Sequence, residues 1–133
     1  MSALVVYRFK KFWGELVYFT TSIKRNYEFR RVYHSGKSAA TSLIAVYCRR
    51  NRQGMNRLGL TVGTKVGKAV VRNKIRRRLR EIYRLHEPSL CRGQDIVIVA
   101  RVKSQYATYQ ELERDFCRMM DRLGLNAVEA SRS

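Results

Sequence analysis

Proline is nearly missing from this chain, with Pro88 alone among 133 residues, and its eight glycines are thinly spread. That scarcity excludes proline-rich linkers, collagen-like repeats and long low-complexity disorder. Cysteine is scarce as well. Cys48, Cys91 and Cys117 are odd in number, form no CxxC pair and have no histidine at ligand spacing. A disulfide framework and a zinc ribbon are therefore excluded, and free buried thiols in a reducing cytosol are expected. No apolar run reaches the roughly 18 residues that a membrane-spanning helix requires. Acidic residues number ten against 28 lysines and arginines. Hydrolysing a phosphodiester with two metals needs several carboxylates converging on one place, and these are scattered. The two histidines, His34 and His86, sit at helix ends with no evident partner for acid–base work. No catalytic residue and no metal ligand is assigned to the protein on these grounds.

What remains is a chain with 45% hydrophobic residues, enough for one core, and a formal charge of +18. Self-repulsion on that scale is tolerable when a polyanion sits against the surface. Nucleic acid is the leading candidate and an anionic membrane surface the second. The charge concentrates in residues 67–86, GKAVVRNKIRRRLREIYRLH. Val71, Ile75, Leu79 and Ile82 fall at i, i+4, i+8 and i+11, one stripe of a helix. At about 100° per residue, Arg72, Asn73, Arg76, Arg77, Arg80 and Arg84 occupy a separate arc of roughly 140°. The helix thus has a dry side and a guanidinium side. Arg78 falls inside the dry side, where its stem must lie along apolar surface while its head reaches water.

Residues 1–17 are apolar and aromatic, but Arg8, Lys10, Lys11 and Glu15 interrupt any signal-peptide core, so an appended extension is expected. Asn26 as N-cap and Gly36 at the end frame a short helix over 27–35, with Phe29 and Tyr33 on one face beside Arg30 and Arg31. Those rings can be core, or a stacking platform for unpaired bases. Strands are expected at 42–49 and 57–62, separated by a polar turn at 51–56. The loop GTKVGKA is one residue short of a phosphate-binding P-loop and has Ala69 where a hydroxyl should hold Mg²⁺, which excludes that reading. A buried strand is expected at 95–100, with Asp95 capping its start, and strand–helix–strand order implies a parallel pair with a helical crossover. Thr108 and Glu111 form a capping box opening a helix through Leu123, stopped by Gly124. Its stripe, Leu112, Phe116, Met119 and Leu123, faces the core, and its other residues, Asp115 among them, form a mixed solvated face. Residues 126–133 read as a tail, and no internal repeat appears.

The run from Lys65 to Glu81, KVGKAVVRNKIRRRLRE, closely resembles the signature of the bacterial ribonuclease P protein component. Residues 22–36, 57–62, 93–101 and 108–125 resemble other parts of that family in the same order. The resemblance implies an α+β single domain over residues 18–125, ordered α-β-β-β-α-β-α. It also implies a mixed four-stranded sheet and a left-handed βαβ crossover, similar to a domain of ribosomal protein S5, where the general rule is right-handed. A short first strand would lie near 38–40. The implied role is in the cytoplasm, assisting a catalytic RNA that removes 5′ leaders from precursor tRNA, with Mg²⁺ belonging to the holoenzyme and with neither membrane nor DNA as a partner. By matching position, Lys65, Lys68, Arg72, Asn73, Lys74, Arg76, Arg77 and Arg80 would face the catalytic RNA, and Phe29, Tyr33 and Tyr47 would line the leader's cleft. The family's usual Arg-Asn-Arg is Arg72-Asn73-Lys74 here, and lysine keeps the charge but gives up the bidentate fork. Gly63-Thr64 stands in place of a common Ser-Lys. The competing reading is a basic ribosomal protein that binds rRNA structurally.

Overall fold

The computed structural model describes residues 20–126. The chain runs β1 (Thr20–Ser22), α1 (Asn26–Ser35), β2 (Lys37–Ala40), β3 (Ile44–Arg50), β4 (Asn56–Val62), α2 (Ala69–His86), β5 (Gln94–Ala100) and α3 (Tyr109–Arg122). Single 3₁₀ turns occupy Thr64–Val66, Glu87–Ser89 and Val102–Tyr106. The expected extension over 1–17, and the tail beyond Asn126, lie outside the described residues. Asn126 itself bridges back to Leu90.

The strands form one mixed sheet in the order β1-β4-β5-β3-β2, parallel across β1, β4 and β5 and antiparallel across β5, β3 and β2. Five strands replace the four expected. The added strand, β1, is three polar residues long and two of them are exposed, so it carries no hydrophobic alternation to betray it. It is held instead by pairing with Asn56–Leu58 and by a 2.9 Å hydrogen bond between the Thr20 and Tyr83 hydroxyls. Burial beside that contact pushes the Tyr83 phenol well above its ordinary pKa.

Period-two alternation sends the sheet's side chains to two faces. On one, Ile44, Val46, Cys48, Val62, Ile96 and Ile98 meet α2 and α3. There the dry stripe of α2 is seated as expected: Ile75, Leu79 and Ile82 are buried, and Val71 is partly so. Full burial of Leu79 and Ile82 contributes about 2 kcal/mol each. Arg78 departs from expectation in one respect: its guanidinium donates to the Ala107 carbonyl at 3.2 Å instead of running free into water.

The capping box of α3 forms as expected, Glu111 N–H donating to Thr108 Oγ1 at 3.1 Å and Thr108 N–H to the Glu111 carboxylate at 2.8 Å. Gly124, at φ 70° in open space, takes the left-handed conformation that ends this helix. Asp115, expected on a solvated face, is buried instead. Among the described residues, α1 is the helix that covers the other face of the sheet, over a smaller cluster around Ile23, Val32 and Val97. This helix starts one residue earlier than its sequence suggests, with Arg25 as N-cap, because Glu28 reaches back to the Arg25 N–H at 3.2 Å. Among the described residues, no helix is long and apolar enough to cross a membrane.

Candidate nucleic-acid interface

Two surfaces gather the residues singled out in the sequence. The first is the outward side of α2 with the loop before it. In that loop Val66 is buried and anchors the 3₁₀ turn, leaving Lys65 and Lys68 exposed on either side. From α2, Asn73, Lys74, Arg77 and Arg80 are exposed. Arg72 and Arg76 are half-buried and already engaged. Arg72 Nε donates to the Gly67 carbonyl at 3.1 Å, and Arg76 donates to Asn73 Oδ1 at 3.0 Å with its other nitrogen 3.5 Å from the Val62 carbonyl. These two arginines brace the loop against the helix while keeping their charge beside it. Arg84, on the same arc, is paired with Glu81 through Nε at 3.0 Å. Lys74, Arg77 and Arg80 have no hydrogen-bond or ion-pair partner among the described residues.

The second surface lies across the sheet. Tyr33 packs edge-on against Tyr47 with ring centroids 4.8 Å apart, and Phe29 lies 6.4 Å from Tyr33. All three rings are half-buried, so each is partly packing and partly platform. Asn26, Phe29, Arg30, Tyr33 and Thr61 line an open groove there, and the Tyr33 and Thr61 hydroxyl oxygens are 3.4 Å apart. Gly59 makes the groove possible: a Cβ on it would stand 2.6 Å from Phe29 Cε1. Arg30, singled out in the sequence beside the two rings, lines the groove as well, whereas Gly59 and Thr61 are missing from the set that the sequence suggested. A signal for these two existed, because alternation in 57–62 points Arg57, Gly59 and Thr61 away from Leu58, Leu60 and Val62.

The histidine and aspartate expectations need correction. His86 is not partnerless. Its Nε2 lies 2.8 Å from the Glu113 carboxylate and 3.6 Å from Cys117 Sγ, tying α2 to α3. Burial, together with Glu113 and Asp121, pushes the Cys117 thiol up. Asp95 does not cap a strand end; it is buried, accepts from Asn51 Nδ2 at 2.9 Å and faces Arg57 Nε at 3.8 Å.

Arg57 also pairs with Glu28 of α1, fastening that helix to the sheet beside the groove. The guanidinium bonded to Glu28 holds its carboxyl below the ordinary 4.5. A depressed folded-state pKa contributes stability that is present above the unfolded value and is lost as pH falls through the folded one. The stability gap between the wild type and Glu28→Gln, read from urea midpoints, is therefore expected to narrow below pH 4.5. A gap that stayed constant there would show that the pair contributes nothing.

Residues 20–124 match the ribonuclease P family. The ribonuclease P protein component of Natranaerobius thermophilus is 41% identical over 98 residues, covering 74% of this chain and 85% of the relative. That of Clostridioides difficile is 36% identical over 108 residues, covering 80% and 95%. Among solved structures, the Staphylococcus aureus RNase P protein superposes with a TM-score of 0.74 at 31% identity, covering 79% of this chain and 96% of its own. The protein from Thermotoga maritima superposes with a TM-score of 0.67 at 29% identity, covering 73% and 92%.

Proposed function

The chain belongs to the ribonuclease P family, and from that premise we propose that its two surfaces serve two RNAs. The 64–68 loop and the outward face of α2 hold the catalytic RNA. The groove under α1 holds the single-stranded 5′ leader of precursor tRNA. The protein is the RNA-binding subunit of the cytoplasmic endoribonuclease that removes that leader. Bond cleavage in this reading is the work of the RNA subunit with Mg²⁺, and the protein's residues bind and orient.

The observation that carries the reading is the separation of the surfaces. Cationic heads with no partner among the described residues stand on one face of the sheet and three converging rings on the other, with the main core on the cationic side. Cationic heads suit the phosphates of a structured RNA, where they fix position without reading sequence. Partly exposed rings beside Arg30 suit splayed bases, since stacking asks only for a π-face. Lys65, Lys68, Asn73, Lys74, Arg77 and Arg80 would contact phosphate directly, and Arg72 and Arg76 would act chiefly by bracing the loop.

Two measurements test this. Added to ribonuclease P RNA at low Mg²⁺, the chain should raise the rate of leader removal, because its cationic surface replaces screening counterions. No gain would favour a structural rRNA-binding role instead. Phe29→Ala should weaken binding of precursor tRNA by about tenfold or more, the worth of one lost base stack, and leave mature tRNA unaffected. An equal loss for both would make Phe29 a packing residue only.

A further inference from the structure

A second basic hollow opens on the flank of α1 opposite the aromatic groove. Arg31 from α1, Arg49 and Arg50 from β3, Arg52 from the β3–β4 turn, and Arg57 beside Asp95 line it. Their charges do not cancel. Arg57 is taken up by Glu28 and Asp95. The guanidinium groups of Arg49, Arg50 and Arg52 have no hydrogen-bond or ion-pair partner among the described residues.

The turn that presents them is held firmly. Asn51 donates to the Met55 carbonyl at 3.0 Å and to Asp95 at 2.9 Å, and its Oδ1 accepts from Gln53 N–H at 2.9 Å. Its own N–H donates to the Gly93 carbonyl at 2.8 Å. Three guanidinium groups at the end of β3 and on the braced turn that follows it, uncompensated among the described residues, repel one another, and a phosphodiester fits their planar forks.

The hollow and the groove are joined over the back of α1. Tyr27, Arg30, Arg31 and His34 fall at i, i+3, i+4 and i+7 and are all exposed. Arg30 lines the groove, Arg31 lines the hollow, and the Arg31 guanidinium sits 5.7 Å from the centre of the Tyr27 ring. A single strand leaving the groove thus meets an aromatic and basic ridge before it reaches the arginines.

We propose that the arginine hollow binds phosphates of the 5′-distal part of the leader after the strand has crossed α1. The site is sequence-independent, with Arg49, Arg50 and Arg52 as its phosphate ligands. This inference rests on the groove being the seat of the proximal leader.

The test uses the reconstituted ribonucleoprotein with precursor tRNAs carrying leaders of roughly four and roughly twelve nucleotides, within the span that single-strand sites cover. The double variant Arg50→Ala/Arg52→Ala removes two exposed side chains that bond to no described residue, and an unchanged urea midpoint verifies its fold. It should bind the long-leader precursor about tenfold more weakly at low salt, with the salt slope reduced by about 1.4. The short-leader precursor and the catalytic RNA should bind as with the wild type. Equal weakening for both leaders, or weaker binding of the catalytic RNA, would give the hollow to the catalytic RNA and overturn the inference. Unchanged binding throughout would also overturn it. Phe29→Ala run in parallel separates the two readings: a loss there with none in the arginine variant leaves the groove as leader site and removes the hollow.

Discussion

Replacing Lys74, Arg77 and Arg80 together with alanine is expected to weaken binding to ribonuclease P RNA by roughly a hundredfold at low salt. The log–log slope of affinity against salt should fall by about 2.7, the share of three phosphate contacts on structured RNA if it behaves like a duplex. All three side chains are exposed and bond to no other described residue. Alanine is the best helix former, and removing three like charges from one helix relieves repulsion, so the urea midpoint should hold or rise. Titration at several salt concentrations separates this from a folding defect, since a damaged fold lowers affinity without a proportionate change in slope. An unchanged slope would take the outward face of α2 out of the RNA interface. Arg72→Ala and Arg76→Ala are less clean. Each would free a backbone carbonyl, of Gly67 or Val62, and release the 64–68 loop as well as removing a charge. Their effect on affinity should exceed their effect on slope.

Gly36→Ala is expected to be strongly destabilising, costing about 3 kcal/mol. A Cβ at this position would lie 2.3 Å from the Cys48 carbonyl oxygen and 2.6 Å from that of Val32. Both obstacles are backbone, so no side-chain rotation relieves them. The residue joins α1 to β2 at φ −93° and ψ 170°, a conformation open to any amino acid. Space alone demands glycine there. The cost should appear as a lowered urea midpoint and as weaker binding of precursor tRNA, because α1 forms one wall of the groove. Chemical denaturation within error of the wild type would mean that the α1–β2 junction yields easily and that the helix is not rigidly seated.

The same glycine shows how far the sequence can be read. Its position after a short amphipathic run marks the end of a helix, and a helix does end there. The usual reason for glycine at a helix end, a left-handed residue, applies at Gly124 and not at Gly36. Likewise the alternation in 57–62 places Arg57, Gly59 and Thr61 on one face without saying what covers them. Asp95, read as a strand cap, and Asp115, read as solvated, show the opposite failure, since a carboxylate is placed by default at an end or on a wet face. Both are buried here.

By itself the sequence determined the basic helix, its dry stripe, the capping box of the last helix and the anionic character of the partner. These properties are local or additive: a 3.6-residue period needs only neighbours within one helix, and a charge is counted without knowing where it points. Only the tertiary structure decided which cations are spoken for and which are free. It engages Arg72, Arg76, Arg78 and Arg84 and leaves Lys74, Arg77 and Arg80 without a partner among the described residues, brings Phe29 and Tyr33 into one groove with Tyr47 packed against Tyr33, and sets residues 49–52 behind the helix that walls it. Each of those outcomes depends on contacts between residues far apart in the chain, and no period or composition encodes them.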